Sequence, residues 1–222
     1  MSDPFHRNLD IRKPQQKRSE QSMLRTMAAL ERLLEKKPFS AITIQELSTE
    51  AEVNAPSIYA RFKDKMGLLS AVYDANQEQA MRHLRERHTI DGWRGGRVSE
   101  CLSESIFGTI AIYRTKKNLV RAILLSDDPG IYARLAKGIE YMAALWADLL
   151  AQAVPPADRA AHNARVNFAI RAATAILRQT ILFDGDHPAP FGLNNDKALA
   201  DEIALLVCRH VGIEPQARFP NN

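Results

Sequence analysis

The sequence has 222 residues, 45% of them hydrophobic and 25% charged, with 10 glycines and 11 prolines, which excludes a low-complexity or disordered chain and leaves ample length for a buried core. Its net charge of +4 is too small to announce a nucleic-acid partner by itself, so where the charge lies matters more than its sum. Through Lys65 there are 12 Lys and Arg against 9 Asp and Glu, and the excess gathers at the start, in Arg7, Arg12, Lys13, Lys17 and Arg18.

Residues 1–15 mix charge with Pro4 and Pro14 and show no periodicity, which predicts a mobile basic arm. From Lys17 the pattern changes: Met23, Met27, Leu30, Leu33 and Leu34 recur at steps of three and four, predicting an amphipathic helix that ends near Lys37-Pro38. Thr43, followed three positions later by Glu46, has the composition of a capping box and predicts a second, short helix to about Ala51. A third is expected to open at Asn54, Ala55 or Pro56 and to run to about Arg61, since proline is tolerated in a first helical turn. Asp64 caps a fourth, which buries Leu68, Leu69, Val72 and Tyr73 and reaches about His88, where the run Asp91-Gly92-Trp93-Arg94-Gly95-Gly96 interrupts it.

Beyond that break, helices are expected near 98–114, 116–126, 129–153, 156–183 and 196–211, divided by turn residues such as Asp127-Asp128-Pro129 and Pro155-Pro156. No strand pattern appears, so the fold class is all-α. Three units follow: the arm (1–15), a helix-turn-helix domain (16–70), and an all-α regulatory and dimerisation domain (71–222). Nothing approaches roughly 18 uncharged apolar residues, and the start lacks an apolar signal stretch, so a cytoplasmic protein without a membrane partner is expected. Cys101 and Cys208 are far apart and read as small core residues.

The three short helices, the second and third joined tightly at Glu52-Val53, have the layout of a helix-turn-helix, whose third helix inserts its first turns into the major groove. The ordered run from Ile42 to Leu69 resembles the signature of the TetR family of transcriptional regulators, with Val53, Ser57, Tyr59, Phe62, Lys65 and Leu68 at matching spacing. Departures stand at Glu52 for the usual Gly, Ser48 for Ala and Asn54 for Ser, with Pro56 and Arg61 where Gly and an aromatic or His are frequent. Glu52 occupies a turn position that favours positive φ, which costs a non-glycine residue about 1 kcal/mol.

Ala55, Pro56 and Ser57 should lie nearest base edges, where a methyl or a ring suits thymine. Ser57, Tyr59 and Lys65 suit phosphate, Arg61 a phosphate or a guanine edge, and Lys17 and Arg18 the backbone or the neighbouring minor groove. Thr43 and Asn54, at the two helix N-termini, complete the expected DNA-binding set. The resemblance implies a homodimer that binds a pseudo-palindromic double-stranded operator as a repressor and is released by a small-molecule effector. Alternatives in view are a TetR-fold activator or DNA-binding protein without an effector, and an α-helical adaptor or enzyme without DNA binding.

In the C-terminal region, Phe107, Tyr113, Tyr141, Trp146 and Phe168 are candidate walls of a ligand cavity, placed near Trp146 and Phe168, with Arg171 as a partner for an acidic ligand. Ala169, Ala173, Ile176, Leu199, Ile203 and Leu206 are the expected dimer seam, on the two long helices nearest the C-terminus. No catalytic motif is present, and neither a cofactor nor a metal site is expected. Asp184-Gly185-Asp186-His187 comes closest to a metal cluster and reads better as a helix end and loop.

Overall fold

The computed structural model describes residues 17–183 and 195–221, and the expected arm and the Asp184–His187 cluster lie outside them. The described residues form α-helices, with one 3-10 turn, one π-helical turn and a single isolated β-bridge between Arg97 and Arg218. Two compact units emerge. One comprises the described residues up to Met81 together with Lys116–Ala133, and the other the described residues of Arg82–Thr115 and of the chain from Arg134 onward.

In the first unit, α1 (Lys17–Lys36) buries Ala29, Leu30, Leu33 and Leu34. A 3-10 turn at Phe39–Ala41 leads to α2 (Ile44–Ala51) and α3 (Ala55–Tyr59), which close on Leu47, Ile58 and Phe62. α3 ends two residues earlier than the sequence predicts, because Ala60 and Arg61 already form a turn that carries Phe62 into the core. α4 (Lys65–Arg87) begins here, and the division between the units falls inside it. Sequence order does not predict that α7 (Lys117–Leu124) also belongs to this unit, against α1. Leu119, Val120 and Ile123 are its buried residues. The Asn118 amide donates to the Leu34 carbonyl at 2.7 Å, and Glu31 accepts from Asn76 at 2.7 Å and from Lys116 at 3.2 Å.

The second unit holds a short α5 (Ile90–Trp93) inside the expected break, then α6 (Val98–Thr115), α8 (Pro129–Ala153) from Arg134 onward, α9 (Arg159–Leu177), the π-helical turn Arg178–Phe183 and α10 (Asp196–Val211). α9 starts three residues later than Pro156, because Asp158 caps it by accepting from the Ala160 and Ala161 amides. α10 packs chiefly on α6 and also on α9. It ends at Gly212 with φ 79°, where the amides of Gly212 and Ile213 reach back to the Cys208 carbonyl. Both cysteine thiols are buried, and burial pushes each up to about 11.

The chain then returns as a strap. The Val98 amide donates to Ala217 at 2.8 Å, Phe219 exchanges bonds with Gly95 and Gly96, and the Ser99 hydroxyl donates to the Pro215 carbonyl at 2.8 Å. Phe219, 2% exposed, sits 5.5 Å from Trp93, and Trp93 in turn stacks on Trp146 at 5.0 Å. His88 meets both indoles edge-on. Its Nδ1 lies 2.9 Å from the Leu84 carbonyl, which can only accept, so Nδ1 carries the proton and Nε2 accepts from the Ser105 hydroxyl at 2.5 Å. Burial pulls His88 down to about 4, so the ring is neutral at neutral pH.

Candidate nucleic-acid interface

Local hydrogen bonds build the helix-turn-helix. Thr43 Oγ1 accepts from the Glu46 amide at 3.2 Å while Glu46 Oε2 accepts from the Thr43 amide at 2.9 Å, the reciprocal capping box its sequence announces. The Lys37 and Thr43 bonds hold the Glu46 carboxyl down at about 2. Asn54 Oδ1 accepts from the Ser57 amide at 2.9 Å and starts α3, and Asp64 Oδ1 accepts from the Gly67 amide at 2.8 Å and starts α4. Thr43 and Asn54 thus spend their side chains on caps.

Those caps fix what α3 presents. Pro56 and Tyr59 are exposed and Ala55 and Ser57 half-buried, while Ile58 on the opposite side is 2% exposed and holds the helix to the core. A five-residue helix with small side chains on its outer face can approach a groove wall closely, and Tyr59, 53% exposed, leaves its hydroxyl within reach of a backbone. Arg61 is half-buried just beyond. Lys17 and Arg18 lie in the first turn of α1, and their side chains lie outside the description.

Lys65 is placed otherwise than the sequence suggests. Its ammonium donates to the carbonyls of Phe39 at 3.0 Å and Ile42 at 2.8 Å and lies 4.3 Å from the centre of the Phe39 ring. Burial lowers its pKa. Two of its three donors therefore tie the start of α4 to the segment before α2, while the Asp64 carboxylate caps the helix N-terminus as its sequence position predicts. Lys63, not singled out from sequence, is the exposed cation of this bend. Only its position between buried Phe62 and capping Asp64 signals it.

Residues 27–72 match the model of the family described as bacterial regulatory proteins, tetR family. The N-terminal module is of the TetR family. A comparison with curated proteins returns no match. Among solved structures, the chain is similar to a protein of Mesorhizobium loti MAFF303099 described as a TetR-family transcriptional regulator, at 16% identity and TM-score 0.67, covering 87% of this chain and 98% of that one. It is also similar to FadR from Bacillus subtilis in complex with stearoyl-CoA, at 13% identity and TM-score 0.55 over 83% and 96% of the two chains. A third is NalD, the secondary repressor of the MexAB-OprM multidrug efflux pump in Pseudomonas aeruginosa, at 14% identity and TM-score 0.52 over 87% and 97%. At these identities the likeness is one of fold, a helix-turn-helix domain followed by a helical domain.

Beyond the helix-turn-helix, the candidate ligand residues lie in separate surroundings. Trp146 is 2% exposed, with its ring packed against Trp93 and His88. Phe168 is 61% exposed and stacks on His210 at 4.8 Å, on the surface rather than in a cavity. Tyr141 accepts from Arg85 at 3.2 Å, and Arg171 bonds Asn167 and Glu140 within the chain. Tyr113 packs against the core, and Phe107 is exposed on α6.

The residues of the expected seam divide between the protomer's interior and a surface groove. Ala169, Ala173, Leu199 and Ile203 are largely buried, because α10 packs on both α6 and α9. Ile176 and Leu206 are partly exposed, and with Leu199, Ile203, Glu202, Arg209 and His210 they line an open groove of about 840 Å³. Among the described residues no helix is long and apolar enough to cross a membrane, and no cluster of His, Cys, Asp and Glu suits a metal ion.

Proposed function

We propose that the protein is a homodimeric transcriptional repressor that reads a pseudo-palindromic operator through α3 and is released by a small-molecule effector. The observation that carries the reading is the outer face of α3: a capped helix inside the segment that matches the TetR family, showing only small side chains and Tyr59 outward. In this reading Ala55, Pro56 and Ser57 approach base edges. Tyr59, Arg61 and Lys63 take phosphates, and Lys17 and Arg18 reach along the backbone.

Dimerisation rests on the surface of α9 and α10. Phe168, Ile176 and Leu206 leave an apolar strip there, flanked by Glu202, Arg209 and His210, a composition suited to a self-complementary contact. Gating by an effector is supported by the relatives of like fold, one of them solved with stearoyl-CoA and another a repressor of an efflux pump. The packing around Trp146 favours a second reading, the same dimer acting on DNA without an effector.

The test is a titration of the purified chain against duplex DNA at several salt concentrations, alongside sedimentation. A dimer whose DNA affinity falls steeply with salt supports the repressor reading, and a monomer without salt-dependent binding contradicts it in favour of an adaptor.

A further inference from the structure

The turn that joins α2 to α3 is closed twice by one residue. The Val53 amide donates to the Ser48 carbonyl at 3.1 Å, and the Glu52 amide to the Thr49 carbonyl at 3.3 Å, the pair of backbone bonds that ends a helix on a left-handed residue. That residue is Glu52, with φ 53° and ψ 41°, and among the described residues no other non-glycine has a positive φ. Glycine adopts this conformation freely, while a side chain there costs about 1 kcal/mol. An apolar contact between the residue after the turn and the last turn of the helix often accompanies such an ending. Here the helix supplies Ser48, whose hydroxyl donates forward to the Val53 carbonyl at 2.7 Å. A helical serine more often bonds back to a carbonyl four residues earlier, so this bond is made for the turn. Val53 is thereby held at both its amide and its carbonyl, immediately before Asn54, which caps α3.

We infer that Ser48 is a positioning residue that sets the angle of α3 to α2 by clamping Val53 across a turn whose left-handed residue is not glycine. The inference rests on the reading of α3 as the element that meets DNA. It makes Ser48 and Glu52 a coupled pair: the clamp matters most while a strained residue occupies the turn, and a relaxed turn needs it less.

The experiment uses the full chain in four forms: wild type, Ser48→Ala, Glu52→Gly and the double variant. Each is measured for Tm and for affinity to a duplex selected from a random pool and to an unselected duplex of the same length. Ser48→Ala should lower Tm by about 2–4 °C. It should also weaken the selected duplex by about tenfold and the unselected one by less than about twofold, because phosphate contacts survive a tilt that base contacts do not. In the Glu52→Gly background both losses should shrink to less than half. Additive losses, or a Ser48→Ala protein that keeps wild-type preference for the selected duplex, would overturn the positioning role alone. A wild-type protein that binds no duplex would overturn the DNA reading together with it.

Discussion

The two units hold themselves together by different means. In the helix-turn-helix the caps and the turn are closed by polar contacts short in sequence, Thr43 with Glu46, Ser48 with Val53, Asn54 with Ser57 and Asp64 with Gly67, with Lys65 reaching back to Phe39 and Ile42. The second unit is closed by partners more than a hundred residues apart, in the strap that brings Phe219 onto Trp93 and pairs Ala217 with Val98. The first arrangement fixes the angles of small helices independently of a large core and leaves an outer face free for a ligand as large as a duplex. The second makes the position of one helix end depend on the C-terminus. A change in the strap should therefore act on the whole second unit, and a change in a cap on one helix.

That contrast is easiest to break at Phe219. Phe219→Ala empties a site that is 2% exposed and should cost about 3–5 kcal/mol, seen as a lower denaturation midpoint with a shift in tryptophan emission, because both tryptophans lie in that cluster. An unchanged midpoint would mean that the strap contributes no packing.

A smaller loss is expected at Lys65. Lys65→Met keeps much of the stem's bulk but leaves the Phe39 and Ile42 carbonyls without their donor, which should cost about 1–3 kcal/mol of stability and leave the salt dependence of DNA binding unchanged. Lys63→Ala should do the reverse, lowering the salt slope by about one per protomer with no change in Tm. Salt titrations and melting curves on both variants separate the roles. If Lys65→Met lowered the slope and Lys63→Ala did not, the inward placement of Lys65 would lose its functional meaning.

The pH responses of the two regions should differ as well. His88 is depressed from 6.5 to about 4 by burial, so the unfolded chain takes up its proton first and this part of the stability is lost as pH falls from about 6.5 towards 4. Glu46 is held near 2 by Lys37 and Thr43, so its contribution is complete above about 4.5 and is lost as pH falls from there towards 2. His88→Gln should flatten the stability profile between pH 6.5 and 4, and Glu46→Gln should flatten it only below about 4.5. Profiles that respond in the opposite windows would contradict both assignments.

The same division explains what the sequence discloses. A capping box, an asparagine before a short helix and a residue forced into left-handed backbone are written within a few positions, so Thr43, Asn54 and Glu52 can be read directly. Gly212 is legible as a helix end for the same reason. The placement of α7 on α1, the inward turn of Lys65 and the docking of Phe219 are pairings across long separations, and no periodicity announces them. Apolar stripes on α9 and α10 are visible in sequence, but which of their sides faces the protomer's core and which faces outward is a packing decision. That is why Ala169 and Ala173 read as a seam and are buried within the protomer, while Phe168 reads as a cavity wall and lies on the surface. Placing charges at both Phe168 and Leu206 should shift the sedimentation of a dimer towards monomer with little loss of protomer stability, and a dimer that persists would move the contact elsewhere.

The central claim, that α3 reads DNA as one of a two-fold pair, is tested most directly by selecting binding sites for the full chain from a random pool of duplexes. The account predicts enrichment of a pseudo-palindrome whose two half-site centres lie about one helical turn, roughly 10 base pairs, apart, with preference at the half-site positions altered by substitution at Ala55 or Ser57. No enrichment, or a single asymmetric site indifferent to both substitutions, would contradict it.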